Sequence, residues 1–320
     1  MNRLLFSLGL ALAAALPASA QTYPSKPIRI VASYAAGGGV DLMARLVADK
    51  LSHELGQPVL VDNRAGASGS IGADIVAKAP PDGYTILAGG NPEITFLPHV
   101  NNRLSYDPLR DLAPLVLAAN APSVVVVNPS VKARSMKDLL AMASQSAGLP
   151  YATPGRGTPM HLAFELLNVE QGTKFIHVPY KGGGPATIDV VAGQIGVGVI
   201  NSPPLMPQIR TGKLRALAVM QGERSALLPD VPTLREATGI EGIAAPAWFA
   251  FSAPAATPVE VRGILEQSIR NALADPEIRG KLAATGLDVV ALPSAQFAEI
   301  IRAESAYNAK TIKRLGYRPE

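Results

Sequence analysis

The 320-residue chain has no cysteine. That absence excludes disulfides, thiolate chemistry, cysteine-ligated metals and a lipid-modified N-terminal cysteine. Long apolar runs are missing too. Beyond the N-terminus, no stretch reaches the roughly 20 residues needed to span a bilayer without meeting a charge or a proline, so the mature chain is expected to be soluble. Charge is sparse and nearly balanced, at 17% of residues, with 29 Lys and Arg against 25 Asp and Glu and no basic run. Neither a nucleic-acid partner nor a membrane surface is implied. Enzyme signatures are absent as well. Neither residues 37–42 nor 155–160 complete G-x-G-x-x-G, and no G-x-x-x-x-G-K-[ST] occurs. Gly66-Ala67-Ser68-Gly69-Ser70 approaches a nucleophile elbow, but its second glycine is displaced. His53, His99, His161 and His177 show no H-x-x-x-H spacing, so no zinc site is expected. No catalytic residue, metal or cofactor is assigned.

What is present begins with an export signal. Arg3 supplies a positive n-region, residues 4–16 form an apolar stretch, and Ala18-Ser19-Ala20 is an A-x-A cleavage site. A leader over residues 1–20, cleaved after Ala20, predicts a periplasmic chain that starts at Gln21. Its removal takes away only Arg3, leaving 28 basic residues against 25 acidic ones, a balance of +3. The remaining length of about 300 residues suits two domains better than one. With 48% hydrophobic residues there is enough apolar material for two cores.

Strand-like and helical patterns alternate along the chain. A buried strand over 28–32 precedes a glycine loop and a helix over 41–55, whose Leu42, Leu46, Val47, Leu51 and Leu55 share a face. Strands over 59–61 and 84–87 flank a helix over 71–79. The grammar restarts after Ala121-Pro122, with strands over 124–127, 151–153, 175–178, 195–200 and 214–219. Such βαβ order predicts largely parallel sheets. The tail, with helices over 258–273 and 294–315, has no sheet of its own and is expected to pack back on the first domain. The expected division is 21–121 and 244–320 for the first domain and 122–243 for the second. The two crossings would act as hinges.

Three loops repeat one design, a strand followed by glycines and a helix start: residues 35–41, 153–159 and 180–185. Glycine lets backbone approach a ligand, and the first helical turn offers unpaired N–H donors at the positive end of the dipole. Each loop also has a purely structural reading, with Asp41 and Thr158 as helix caps and Pro159 and Pro185 at first helical positions. Three together favour a shared anion cleft. Arg156, between two glycines, is a candidate for a second ligand carboxylate. His161, in a first helical turn, is expected to support the site as a donor.

Several segments then carry a resemblance. They are Tyr23-Pro24-Ser25-Lys26-Pro27-Ile28-Arg29-Ile30-Val31, Ala36-Gly37-Gly38-Gly39-Val40-Asp41, Val61-Asp62-Asn63-Arg64-Ala65-Gly66-Ala67, Pro81-Asp82-Gly83-Tyr84-Thr85, Gly157-Thr158-Pro159-Met160-His161-Leu162, Pro179-Tyr180-Lys181-Gly182-Gly183 and Leu228-Pro229-Asp230-Val231-Pro232-Thr233. Collinear over essentially the whole mature length, they resemble the Bug family, the receptors of tripartite tricarboxylate transporters. The resemblance implies an α/β, two-domain periplasmic-binding-protein fold (Venus flytrap, type II) with two crossover segments. It implies a monomer that captures a small dicarboxylate or aromatic carboxylate for the membrane subunits of such a transporter. Carried over by position, Tyr34, Ala36, Gly38 and Asp41 would face Thr153, Gly157 and Thr158 across a carboxylate. Asn91, Tyr180, Lys181, Gly182, Gly183 and Asn201 would meet the distal part of the ligand.

The chain departs from the family pattern at Ser33, where proline is common, over residues 89–93, at Arg156 and at Tyr307. Two readings compete with a transport receptor: a sensor input protein for a membrane kinase, and an extracytoplasmic hydrolase using one loop as an oxyanion hole.

Overall fold

Short, mostly apolar runs become the strands. A computed structural model, which describes residues 23–314 and 316, contains β1 (Ile28–Ala32), β2 (Val59–Asn63), β3 (Thr85–Gly90), β4 (Leu112–Asn120), β5 (Ser123–Val127), β6 (Leu149–Thr153), β7 (Phe175–Pro179), β8 (Val197–Asn201), β9 (Arg215–Val219), β10 (Trp248–Pro254) and β11 (Asp288–Pro293). The expected leader and its cleavage site lie outside the described residues. Among the described residues no helix is long and apolar enough to cross a membrane.

The strands form two sheets, each the centre of a lobe. The first has the order β11-β4-β10-β3-β1-β2 and the second β7-β6-β8-β5-β9. In the second, β6 pairs parallel with β7 and β8, while β5 runs antiparallel between β8 and β9. The first is parallel from β2 through β1 to β3, then antiparallel through β10, β4 and β11. A largely parallel sheet was expected there, and the difference comes from the tail. Its strand β10 inserts between β3 and β4 from the opposite direction, and β11 closes the edge.

The sequence pattern had not marked β4, whose interior carries Pro114. That proline pairs opposite Ser252 at a register shift between β4 and β10, where a residue without an N–H can be tolerated. Local helix signals behave more simply. Ser135 caps the helix Met136–Gln145 in a capping box with Asp138, and Gly56, at φ 64°, ends the helix Gly39–Leu55. Two details differ from expectation. Asp41 lies inside the helix Gly39–Leu55, which Gly38 precedes as its cap without a side chain. The helix Gly183–Val191 starts ahead of Pro185.

The chain leaves the first sheet at the end of β4 and enters β5 through Ala121 and Pro122; it returns between β9 and β10. The crossings run side by side. Ala121 N donates to Ala247 O at 2.8 Å, and Ala245 N donates to Met220 O at 2.8 Å. The Ser123 hydroxyl donates to Ala245 O at 2.7 Å.

The helix Ser70–Ala77 lies hard against the end of β1. A Cβ at Gly72 would stand 2.8 Å from Ser33 Cα, a backbone atom that cannot swing aside. Gly72→Ala should therefore destabilise the protein by about 1–3 kcal/mol through overpacking, in spite of alanine's better helix propensity. Urea denaturation measures this, and a stabilised variant would show that the helix can move away from β1.

Candidate functional site

The loops after β1, β6 and β7 meet the ends of β3 and β8 at the seam between the lobes. Tyr34, Gly38, Gly39, Asn91 and Phe249 form one wall of a cavity; Pro154, Thr158, Met160, Gly183 and Asn201 form the other. With the lobes in contact its free volume is only about 30 Å³, room for a water molecule or two, so a ligand-sized space there requires the lobes to part. Beside the cavity the lobes touch. Ala35 N donates to Lys181 O at 3.1 Å, and the Ser68 hydroxyl donates to Arg156 O. A Cβ on Gly184 would lie 2.9 Å from Ala36 O. The lobes are thus closed on one another, and the glycines let the two backbones meet.

Six of the residues singled out from the sequence line this cavity: Tyr34, Gly38, Asn91, Thr158, Gly183 and Asn201. Ala36, Lys181 and Gly182 belong to the contact between the lobes. The others shape the loops from behind. The Asp41 carboxylate accepts hydrogen bonds from Gly37 N at 3.0 Å, Arg45 Nε at 2.9 Å and Asn63 Nδ2 at 2.9 Å, pinning the first glycine loop. The Thr153 hydroxyl is 2.9 Å from Gly155 O and 2.7 Å from His177 Nε2. Tyr180 donates to Asp189 at 2.6 Å.

His161 turns away from the cavity. Its Nδ1 accepts from Gly157 N at 3.1 Å and its ring stacks on His177, centroids 4.0 Å apart. Burial, then the neighbouring His177 and Arg156, push its pKa down to about 3, so the ring is neutral at neutral pH. With Arg156, Glu165, His177 and Pro179 it borders a separate surface crevice. Arg156 does not line the main cavity; with Ser68, Asn101, Arg103 and Gly157 it borders a second and roomier space between the lobes, about 330 Å³.

These bonds redistribute the expected anion donors. Gly157 N is taken by His161, and the Thr158 hydroxyl donates to Gly155 O at 2.9 Å. Gly37 N is taken by Asp41. The helix start at Gly38, Gly39 and Val40 remains, and all three residues line the cavity.

The family model for the tripartite tricarboxylate transporter family receptor matches residues 43–317. The chain is 37% identical over 303 residues to protein BugT of Bordetella pertussis, covering 92% of this chain and 91% of that one. The solved structure of the periplasmic binding protein BugD superposes with a TM-score of 0.88 at 30% identity, over 93% of this chain and 100% of that one. The Rpa4515 protein of R. palustris, solved with adipate, superposes with a TM-score of 0.87 at 33% identity, over 93% of this chain and 100% of that one.

The chain belongs to this family. It is a Bug-type receptor with the two-lobed α/β fold of the periplasmic binding proteins.

Against that family background, one group stands out that the sequence left without a role. Glu93 is fully buried. Its Oε1 accepts from the Ser33 hydroxyl at 2.6 Å and Gly90 N at 2.8 Å; its Oε2 lies 3.0 Å from the Tyr34 hydroxyl. Gly69 and Gly89 leave room for it, since a Cβ at either would stand within 2.6 Å of the carboxyl group. The Tyr34 hydroxyl has one proton and two oxygens in reach, Glu93 Oε2 and Ser68 O at 3.1 Å. A protonated Glu93 satisfies both, donating to Tyr34 while Tyr34 donates to Ser68. Burial raises the Glu93 pKa from 4.5 to about 7, against the lowering effect of its hydrogen bonds from Ser33, Gly90 and Tyr34. Of the signals available in the sequence, only the paired departures at Ser33 and residues 89–93 pointed here.

The sign of the pH effect follows. Below pH 4.5 the group is neutral in folded and unfolded chains alike. Between 4.5 and 7 the unfolded chain ionises first, so stability falls by roughly 3 kcal/mol, and above 7 the loss is complete. Glu93→Gln keeps the neutral hydrogen-bond pattern and should remove this fall, being more stable than the wild type at pH 8 but not at pH 4. Denaturant curves at the two pH values give the difference; equal behaviour of the two proteins would mean an ordinary, solvated Glu93.

Proposed function

We propose that the chain is a periplasmic receptor that captures a small carboxylate between its lobes and delivers it to the membrane subunits of a tripartite tricarboxylate-type transporter. The observation that carries this reading is the cavity wall at Gly38, Gly39 and Val40, a helix start placed at the seam between two lobes. A carboxylate leaving water must recover its hydrogen bonds, because burying it unpaired is prohibitive. Helix N-termini supply them together with a favourable dipole. The adipate bound to a family member supports the ligand class. The two crossings would let the lobes part to admit ligand and close over it.

Thr158 contributes by shaping the opposite wall, as the cap of the helix Pro159–Gln171. Arg156 borders the roomier neighbouring space between the lobes, where it would meet a second carboxylate of a ligand that extends there. A hydrolytic role draws no support from the hydroxyl–imidazole pairs Thr153–His177 and Ser305–His99, since none of these residues lines the cavity.

The test is a calorimetric screen of mono-, di- and tricarboxylates and aromatic acids, followed by one variant. Gly38 has φ −89° and ψ 173°, which any residue adopts, so Gly38→Val should fold with a near-native melting temperature. Its branched side chain would fill the cavity beside the helix start, and affinity should fall by about 100-fold or more. Near-native binding by this variant would move the grip elsewhere.

A further inference from the structure

Asn91 sits at the end of β3, 1% exposed, and lines the cavity. Both protons of its amide are committed. Its Nδ2 donates to Pro246 O at 3.0 Å and to Glu304 Oε1 at 2.8 Å. Both partners are acceptors, so the orientation of the amide is forced: the flipped form would set its oxygen against a carbonyl and a carboxylate.

Glu304 is itself held from two other sides. Thr95 Oγ1 stands 3.0 Å from Oε1, and Trp248 Nε1 donates to Oε2 at 2.6 Å. The anchor therefore comes from three elements remote in sequence: the turn after β3, the strand β10 and the C-terminal helix Ser294–Arg314.

That arrangement leaves Asn91 Oδ1 buried with no hydrogen-bond partner among the described residues. Of the buried side-chain atoms in that condition, it alone belongs to a residue lining the cavity; the others are on Thr257, Arg262 and Arg270. A buried acceptor without a partner is costly, and a group that supplies the missing proton recovers that cost. A carboxylate cannot, because ionised oxygens only accept.

We infer that the ligand of this cleft is a substituted carboxylate, one carrying a hydroxyl, ammonium or amide N–H donor, and that Asn91 Oδ1 receives this donor. The inference rests on the carboxylate reading and narrows it. Asn91 then sets specificity: the helix start at residues 38–40 recognises the acid, and Asn91 distinguishes a hydroxy or amino acid from the plain acid of the same skeleton. Selection of this kind is strong in principle, since a plain acid leaves the protein acceptor unpaired in the closed cleft.

Calorimetry on the full mature chain tests it with matched acids: succinate against malate and aspartate, glutarate against 2-hydroxyglutarate and glutamate, benzoate against 3- and 4-hydroxybenzoate. The tightest ligand should carry a donor and bind roughly 10–100-fold tighter than its unsubstituted skeleton. In Asn91→Ala the ratio should fall to near one, chiefly through weaker binding of the substituted acid. If an unsubstituted acid binds as tightly as its hydroxy and amino counterparts, the inference fails and the carboxylate reading stands. If no acid binds, both fail. A donor preference that survives unchanged in Asn91→Ala overturns the assignment to this residue. Should that variant not fold, the wild-type ratios decide the matter.

Discussion

Everything at the seam depends on how closely two backbones can approach. The loop after β1 and the loop after β7 meet main chain to main chain, with Ala35 N bonded to Lys181 O. A side chain on Gly184 would strike the carbonyl of Ala36. Bulkier residues here would prop the lobes apart, widening the cavity and turning its N–H groups toward water. Glycine is costly in the unfolded chain, and these loops bear that cost where contact between the lobes requires it. The crossings add to the same geometry, because their mutual hydrogen bonds tie together the two segments that join the lobes.

A second constraint lies just beneath the cavity. Two carboxyl groups stand near the cavity wall, and their environments treat them in opposite ways. For Asp41, burial works to raise the pKa, but hydrogen bonds from Arg45, Gly37 and Asn63 outweigh it and hold the group below its ordinary 3.8. Its charge is matched by Arg45 and spent on fixing the loop. Glu93 has hydrogen-bond donors but no cation among its bonded partners, and burial prevails.

Much of this was legible in the sequence. The alternation of strands and helices gave the two lobes, and the Ser135 cap and Gly56 stop gave helix ends, because each is a local signal. The glycine loops were visible for the same reason. What escaped notice was set by distance along the chain. β4 reads as an apolar run broken by Pro114 until β10 supplies a register shift to absorb it, and β10 lies more than a hundred residues away. Glu304 gives no hint from its own helix that it orients Asn91. His161 and Thr153 look like cleft residues by position, yet their side chains turn to each other's neighbourhood through His177. Sequence position specified the loop; side-chain direction depended on partners from other strands.

The charge pattern bears on how an anion could be held at the helix start, whose cavity has no arginine in its lining. At close range, an ionised carboxylate in the wall would repel a bound anion by several kcal/mol even at an effective dielectric near 20. Glu93, with its pKa raised to about 7, is mostly neutral below that pH and the repulsion is then relieved, and Asp41 is screened by Arg45 and by its bond to Gly37 N. The partial positive charge of the helix start at residues 38–40 then stands in that wall. The N–H donors of that helix start, more than its dipole, would have to supply the hydrogen bonds that an anion loses on leaving water. Replacing Ser33 by the proline common in the family would delete the hydroxyl that bonds Glu93 Oε1, leaving a buried carboxyl group short of a donor. The two departures from the family pattern thus make sense together, as one device that keeps a polar group under the cleft whose charge is suppressed below about pH 7.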